Sequence, residues 1–296
     1  MKELIGTGVA LITPFNSDLS IDHQALTAIV EFNITNGVNY LVICGTTGES
    51  VTLSAEEKKA ITQTVIAANN GRVPLVIGIG GNNTAAVVAE LKSTDFSEIT
   101  AVLSVAPYYS KPTQEGFYQH FRAIAEATDM PIILYNVPGR TAKNVEASTV
   151  LRLANDFESI IAIKEAGNNM DQYLELIAHK PADFLVISGD DALTLPHLSV
   201  GGDGVISVVA NAFPKRFSTM VNQALEGDLE PAREKHYELL EIIHYLFKDG
   251  NPAGIKHLLK LINICSDKVR LPLVNVSKTT ADKIYELVAG IDDTLV

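Results

Sequence analysis

Lys164 closes the run Ser159-Ile-Ile-Ala-Ile-Lys164, whose preceding residues are mostly apolar and β-favouring. Such a run reads as a strand buried on both faces, as in a parallel sheet. A lysine carried into that setting is desolvated, which disfavours its ammonium form. The free amine is a nucleophile that condenses with a ketone to give a Schiff base. The structural alternative is a lysine that runs out of the strand end into water. Other reactive residues recur at the same place relative to their own apolar runs. Thr46 and Thr47 follow residues 40–44, and Tyr108 and Tyr109 follow residues 101–105. Tyr135 closes residues 131–135, with Arg140 a turn later, and Ser188 and Gly189 close residues 184–188.

Each of these has two readings. Gly45-Thr-Thr-Gly48 is either a tight turn or a nest of backbone N–H groups that holds a carboxylate. It is not a phosphate-binding P-loop, because the Gly-Lys-Ser/Thr ending is missing. Tyr135 is either an aromatic plug or a proton carrier beside an amine that needs protons moved. Tyr108 and Tyr109 could simply cover a pocket mouth. Arg140 is either a surface arginine or a fork for a substrate carboxylate. Asp190-Asp191 is expected to cap the next helix rather than bind a metal. The seven histidines show no paired ligand spacing, and no nucleophile elbow supports a Ser-His-Asp triad. The reading needs no metal and no cofactor.

The elements that would position these residues follow from hydropathy. Residues 8–13, 40–44, 75–79, 101–105, 131–135, 159–164, 184–188 and 204–209 read as strands. Amphipathic stretches lie between them: Leu26, Ile29, Val30 and Ile34 form one stripe, and Phe117, Phe121 and Ile124 another. Ser54 and Glu57 form a capping-box pattern. Eight βα units imply an α/β fold closed as a (β/α)8 TIM barrel, whose active site lies at the C-terminal ends of the strands. A doubly wound open sheet competes, but it needs a Gly-rich turn after the first strand, where this chain has Thr13-Pro14-Phe15. Beyond the eighth strand the pattern is all-helical, with Asn251-Pro252 read as an N-cap followed by proline at the first helical position. The expected division is a barrel over residues 1–225 and a small C-terminal helical domain over residues 226–296.

Composition limits the partners. The 296-residue chain carries a formal net charge of -12, which disfavours nucleic acid and anionic membranes. Cys44 and Cys265 lie far apart in apolar contexts, as free thiols do in a reducing compartment. Neither a signal peptide nor a membrane-spanning run is legible. A cytoplasmic location is expected. The residues alone thus lead to a Schiff-base aldolase or lyase for a small keto acid, with Lys164 as nucleophile, threonines on the carboxylate and tyrosine moving protons.

Gly45-Thr-Thr-Gly-Glu-Ser50, Pro107-Tyr-Tyr109, Tyr135-Asn-Val-Pro-Gly-Arg-Thr141, Ile163-Lys-Glu-Ala166 and Ser188-Gly-Asp190 together resemble the pyruvate-dependent class I aldolases. Within that superfamily they most resemble the 4-hydroxy-tetrahydrodipicolinate (dihydrodipicolinate) synthase family of lysine and diaminopimelate biosynthesis. The resemblance implies a lyase that condenses pyruvate with L-aspartate 4-semialdehyde, in a homotetramer built from two tight dimers. It implies an imine on Lys164, with Thr46 and Thr47 on the pyruvate carboxylate. Tyr135 would donate and accept protons, linked to solvent by Thr46 and by Tyr109 of a neighbouring subunit. Arg140 would hold the carboxylate of the second substrate, and Gly189 and Ile206 would give backbone contacts near the lysine. N-acetylneuraminate lyase, a sister enzyme, shares the lysine and the first tyrosine. Arg140 and the Pro-Tyr-Tyr pair resemble the synthase pattern instead. A non-catalytic keto-acid-binding barrel is the rival from another class.

One departure bears on regulation. In feedback-inhibited synthases lysine binds at the tight-dimer interface, and the matching positions here are Ser50, Ala55, Lys58, Asn82, Ala86 and Tyr108. Ala86 stands where a glutamate would neutralise the bound ammonium, and such a charge-assisted bond is worth about 1.5–3 kcal/mol. Weak or absent lysine feedback is expected.

Overall fold

The alternation of apolar runs and amphipathic stretches closes on itself. In chain order the computed structural model, which describes residues 2–289, contains β1 (Gly6–Ala10), α1 (His23–Thr35), β2 (Tyr40–Ile43), α2 (Ala55–Asn69), β3 (Leu75–Gly78), α3 (Thr84–Ser93), β4 (Ala101–Val105) and α4 (Gln114–Ala125). There follow β5 (Ile132–Asn136), the short α5 (Pro138–Thr141), α6 (Ala147–Asp156), β6 (Ile160–Glu165), α7 (Met170–His179), β7 (Leu185–Ser188), α8 (Thr194–Ser199), β8 (Gly204–Ser207) and α9 (Pro214–Leu225). Three more helices complete the described chain: α10 (Leu229–Lys248), α11 (Ala253–Leu261) and α12 (Lys278–Ala289). The strands pair in sequence order, all parallel, and β8 returns to β1. This is a (β/α)8 barrel followed by a helical C-terminal segment.

Local signals act where the sequence places them. Asp22 caps α1 by accepting from the Ala25 amide, and Ser54 and Glu57 form both arms of the capping box at α2. The buried side chains divide into two clusters. One, with Tyr40, Val42, Val76, Leu103, Ile133, Ile187 and Ile206, fills the inside of the barrel. The other, with Leu26, Ile29, Phe117, Phe121, Leu153, Phe213 and Phe217, lies between strands and helices. Leu239, Ile243, Leu246 and Leu258 of the C-terminal helices belong to that second cluster, so they share a core with the barrel wall.

Most strand ends lie within one residue of the sequence reading, and three differences are larger. β1 begins at Gly6 rather than residue 8, because Gly6 and Thr7 pair with Gly204 and Val205. Glycines conceal the strand in a hydropathy profile. They are required here: a Cβ at Gly8 would lie 2.2 Å from the Tyr40 ring, which fills the barrel floor. β8 stops at Ser207, and Val209–Asn211 form a 3-10 turn. Residues 138–141, for which no element is expected, are the helix α5. Residues 290–296 of the expected C-terminal domain lie outside the described residues.

His197 of α8 is fully buried, with Nε2 2.9 Å from the Val186 carbonyl and its ring against Tyr173. Burial holds its imidazole down at about 4. The unfolded chain takes up this proton near 6.5 and the folded protein only near 4. The corresponding stability is therefore full above 6.5 and lost as pH falls towards 4, by up to ~3 kcal/mol. Asp191, raised to about 6 by its own burial, acts in the opposite sense over part of that range. The wild type should thus lose its lead in Tm over His197→Gln as pH falls from about 7 to about 4.5. A Tm difference that is constant across this range would refute the assignment.

Candidate active site

Lys164 ends the apolar run of β6, where its backbone pairs with Ile187 of β7 and with Tyr135 of β5. Its direction depends on one extra residue. Ile132 pairs with Ile160 but Ile133 pairs with Ala162, so Ile161 is a bulge in β6. Side chains alternate along a strand, and one inserted residue flips every later position. Ile160 and Ile163 accordingly face the helices, whereas Ala162 lies in the inner cluster. Lys164, two residues on, points into the barrel mouth. Without the bulge it would face the helix layer.

Lys164 is 6% exposed, and its Nζ lies 4.3 Å from the centroid of the Tyr135 ring. Among the described residues no carboxylate comes within ion-pair reach of it. Gly189 makes room for the side chain, since a Cβ there would come within 2.9 Å of Lys164 Cε. Tyr135 and Lys164 are register partners, and so are Asn136 and Glu165 one residue further on, facing outward. Asn136 Nδ2 donates to both Glu165 oxygens at 3.0 and 2.8 Å, and Gln172 Nε2 and the Gly167 amide donate to the same carboxylate. Burial pushes the Glu165 carboxyl above its ordinary range while these donors pull it back. The outward pair pins the two strands in the register that the inward pair requires.

Above Lys164 opens a cavity of about 660 Å³. Thr46, Thr47, Tyr135, Arg140, Lys164 and Gly189 line it, and so do His244 and Phe247 of α10, which motif reading does not single out, and Asn251, which it reads as a helix cap. Asn251 is not the N-cap of α11, a place taken by Pro252. Its Nδ2 instead donates to Thr47 Oγ1 at 2.9 Å. A hydroxyl that accepts there must direct its own proton elsewhere, and the cavity is the open side. Asn251 O is also 3.5 Å from Arg140 Nη2, so this one residue touches both carboxylate-binding candidates.

Two expected residues stand apart. Among the described residues neither Tyr109 nor Ile206 is part of this cavity wall. Tyr109 is 89% exposed on the loop after β4, with left-handed φ of 70°. Ile206 is buried in the inner cluster. A second cavity, of about 50 Å³, shares Thr46 and Tyr135 with the first and runs to Ser50 and Lys58. Asp190 and Asp191 also depart from the expected cap. Asp190 closes the turn through the Ala192 and Leu193 amides, while Asp191 accepts from the Val208 and Val209 amides and ties the β7 loop to the end of β8.

Known proteins resemble this chain in sequence and fold over nearly its whole length. The chain matches the dihydrodipicolinate synthetase family over residues 3–290. It is 55% identical over 284 residues to the 4-hydroxy-tetrahydrodipicolinate synthase of Flavobacterium psychrophilum, covering 96% of this chain and 97% of that protein. The crystal structure of dihydrodipicolinate synthase from Aquifex aeolicus superposes with a TM-score of 0.93 at 39% identity, covering 97% of each chain. The chloride-inhibited dihydrodipicolinate synthase of Acinetobacter baumannii, complexed with pyruvate, gives 0.94 at 36% identity, over 97% of this chain and 98% of that one.

Proposed function

The chain belongs to the dihydrodipicolinate synthetase family, and from that premise we propose that it is a lyase that condenses pyruvate with L-aspartate 4-semialdehyde to give 4-hydroxy-tetrahydrodipicolinate. The observation that carries the reading is the buried Lys164, with no carboxylate in ion-pair reach among the described residues, at the floor of a cavity that also holds Tyr135, Thr46, Thr47 and Arg140. The Lys164 amine attacks the pyruvate ketone. Loss of water from the carbinolamine gives the imine, and loss of a methyl proton gives the enamine. The enamine carbon attacks the aldehyde. The amino group of the second substrate then attacks the imine carbon, which closes the ring and releases Lys164. All of this needs only the protein's own groups.

Thr46 and Thr47 hold the pyruvate carboxylate, Arg140 holds that of the aldehyde, Gly189 lines the approach to Lys164, and Ile206 gives a backbone contact near the lysine from the inner cluster rather than from the cavity wall. Tyr135 shuttles protons. The working assembly in this reading is a dimer of tight dimers in the cytoplasm. Tyr109 of one copy there enters the neighbour's site and joins Thr46 and Tyr135, a role that its 89% exposure supports. Among the described residues no helix is long and apolar enough to cross a membrane. The C-terminal helices, expected as a small domain over residues 226–296, contribute His244, Phe247 and Asn251 to the wall of the site. The test is turnover of pyruvate with L-aspartate 4-semialdehyde. Consumption of both substrates is expected, with no cleavage of N-acetylneuraminate, and the reverse result would favour the sister lyase.

Regulation by lysine should be weak or absent. Ala86 of α3 offers no carboxylate, and Glu90, one turn on, is engaged by Lys58 at 3.2 Å. Loss of one charge-assisted bond costs about 1.5–3 kcal/mol, roughly 10- to 150-fold in affinity. Half-inhibition by micromolar L-lysine in the same assay would contradict this.

A further inference from the structure

We propose that the buried Glu49–Lys256 ion pair is a positioning device by which the C-terminal helices hold the Thr46–Thr47 loop in its keto-acid-binding shape. The inference rests on the reading of those threonines as the carboxylate site. The loop is bracketed by two non-glycine residues in the left-handed region, Cys44 and Glu49, both with φ of 55°. L-residues avoid this region because the side chain crowds the backbone. Such conformations persist where the surroundings over-determine them, and they concentrate at ligand sites.

The surroundings differ at the two ends. At Cys44 the backbone of β3 presses close: a Cβ on Gly78 would lie 2.4 Å from the Cys44 carbonyl oxygen. That end is held by the barrel. At Glu49 the holding groups come from far along the chain. Lys256 Nζ of α11 donates to Glu49 Oε1 at 2.5 Å, and the Arg270 amide donates to Glu49 Oε2 at 2.9 Å. Both side chains of the pair are 0% exposed. Lys256 Nζ also donates to the Lys268 carbonyl at 2.8 Å and lies 4.1 Å from the Phe15 ring centroid. Burial pulls its ammonium below its ordinary range, and Glu49 opposes that pull. The Arg270 guanidinium forks onto Glu57, the carboxylate that closes the capping box of the next helix. Asn251 reaches Thr47 from the same C-terminal segment.

The energetics favour positioning over plain stability. Desolvation of two charges largely cancels their attraction, so replacing a buried pair with neutral or apolar groups of similar volume is often neutral or stabilising. What such groups cannot supply is a directed pull on Glu49 that keeps it left-handed and keeps the 3-10 turn Thr46–Gly48 wound beside the lysine.

The test is the double variant Glu49→Gln/Lys256→Met, which leaves no buried charge unpaired, assayed beside the wild type. We expect a folded protein whose KM for pyruvate rises about tenfold or more, equivalent to about 1.4 kcal/mol, while kcat at saturating pyruvate changes little. Borohydride trapping of the pyruvate imine should be recovered at high pyruvate. If the double variant does not fold, Glu49→Asp keeps the charge but withdraws the carboxylate by one methylene, and the same KM-selective loss is expected. An unchanged pyruvate KM in a folded variant overturns the proposal, as does a loss confined to kcat. If the wild type itself traps no pyruvate, the site reading falls first and the positioning role goes with it.

Discussion

Treated with pyruvate and borohydride, the wild-type protein should gain the mass of one reduced pyruvyl group, and Lys164→Ala should gain none. Reduction fixes the imine as a secondary amine, so the readout reports bond formation at one nitrogen and not turnover. The substitution should lower kcat/KM by about 10⁴–10⁶-fold, the range lost when single members of a covalent catalytic unit are removed. It should cost little in folding, because the lysine has no ion-pair partner to leave behind among the described residues. Other lysines supply an internal control. Lys256 is as buried as Lys164, but it is bound to Glu49 and to the Lys268 carbonyl, which occupies the amine that would have to attack. An adduct on wild type that survives in Lys164→Ala would move the nucleophile elsewhere. No adduct on either protein would leave the fold with its barrel and without its proposed chemistry.

Much of this site is legible in the sequence. A parallel barrel gathers whatever follows each strand at one mouth, so Thr46, Thr47, Tyr135, Arg140, Lys164 and Gly189 could be brought together from their positions behind apolar runs. What escaped was set by contacts that leave no local pattern. Asn251 meets Thr47 across 204 residues, and an Asn-Pro pair before a helix looks like a cap. Phe247 and His244 lie on a helix whose periodicity reports only its buried face. The bulge at Ile161 is invisible in an unbroken Ile-Ile-Ala-Ile run, although it decides which way Lys164 points. Glu49 stands in the Gly45–Ser50 motif with no role legible from its neighbours. Its partner lies 207 residues away, and an ion pair of that range is fixed by the folded topology.

Tyr135→Phe should separate bond-making from proton transfer. The phenyl ring keeps its place in the inner cluster and its position beside Lys164 Nζ, so packing and the lysine's surroundings are retained while the hydroxyl is lost. Carbinolamine formation and dehydration each require a proton to be moved to or from oxygen. Removing a positioned acid–base group typically costs about 10²–10⁴-fold, and that loss should appear in the rate of imine trapping as well as in kcat. The final extent of trapping should approach that of the wild type, because Lys164, Thr46 and Thr47 remain. A uniform loss of extent would instead indicate that the phenol holds the substrate. A trapping rate within a few-fold of wild type would show that the proton passes by another route. Thr46, which lines both the main cavity and the small cavity beside it, would then be the residue to substitute, since it is the other hydroxyl common to the two.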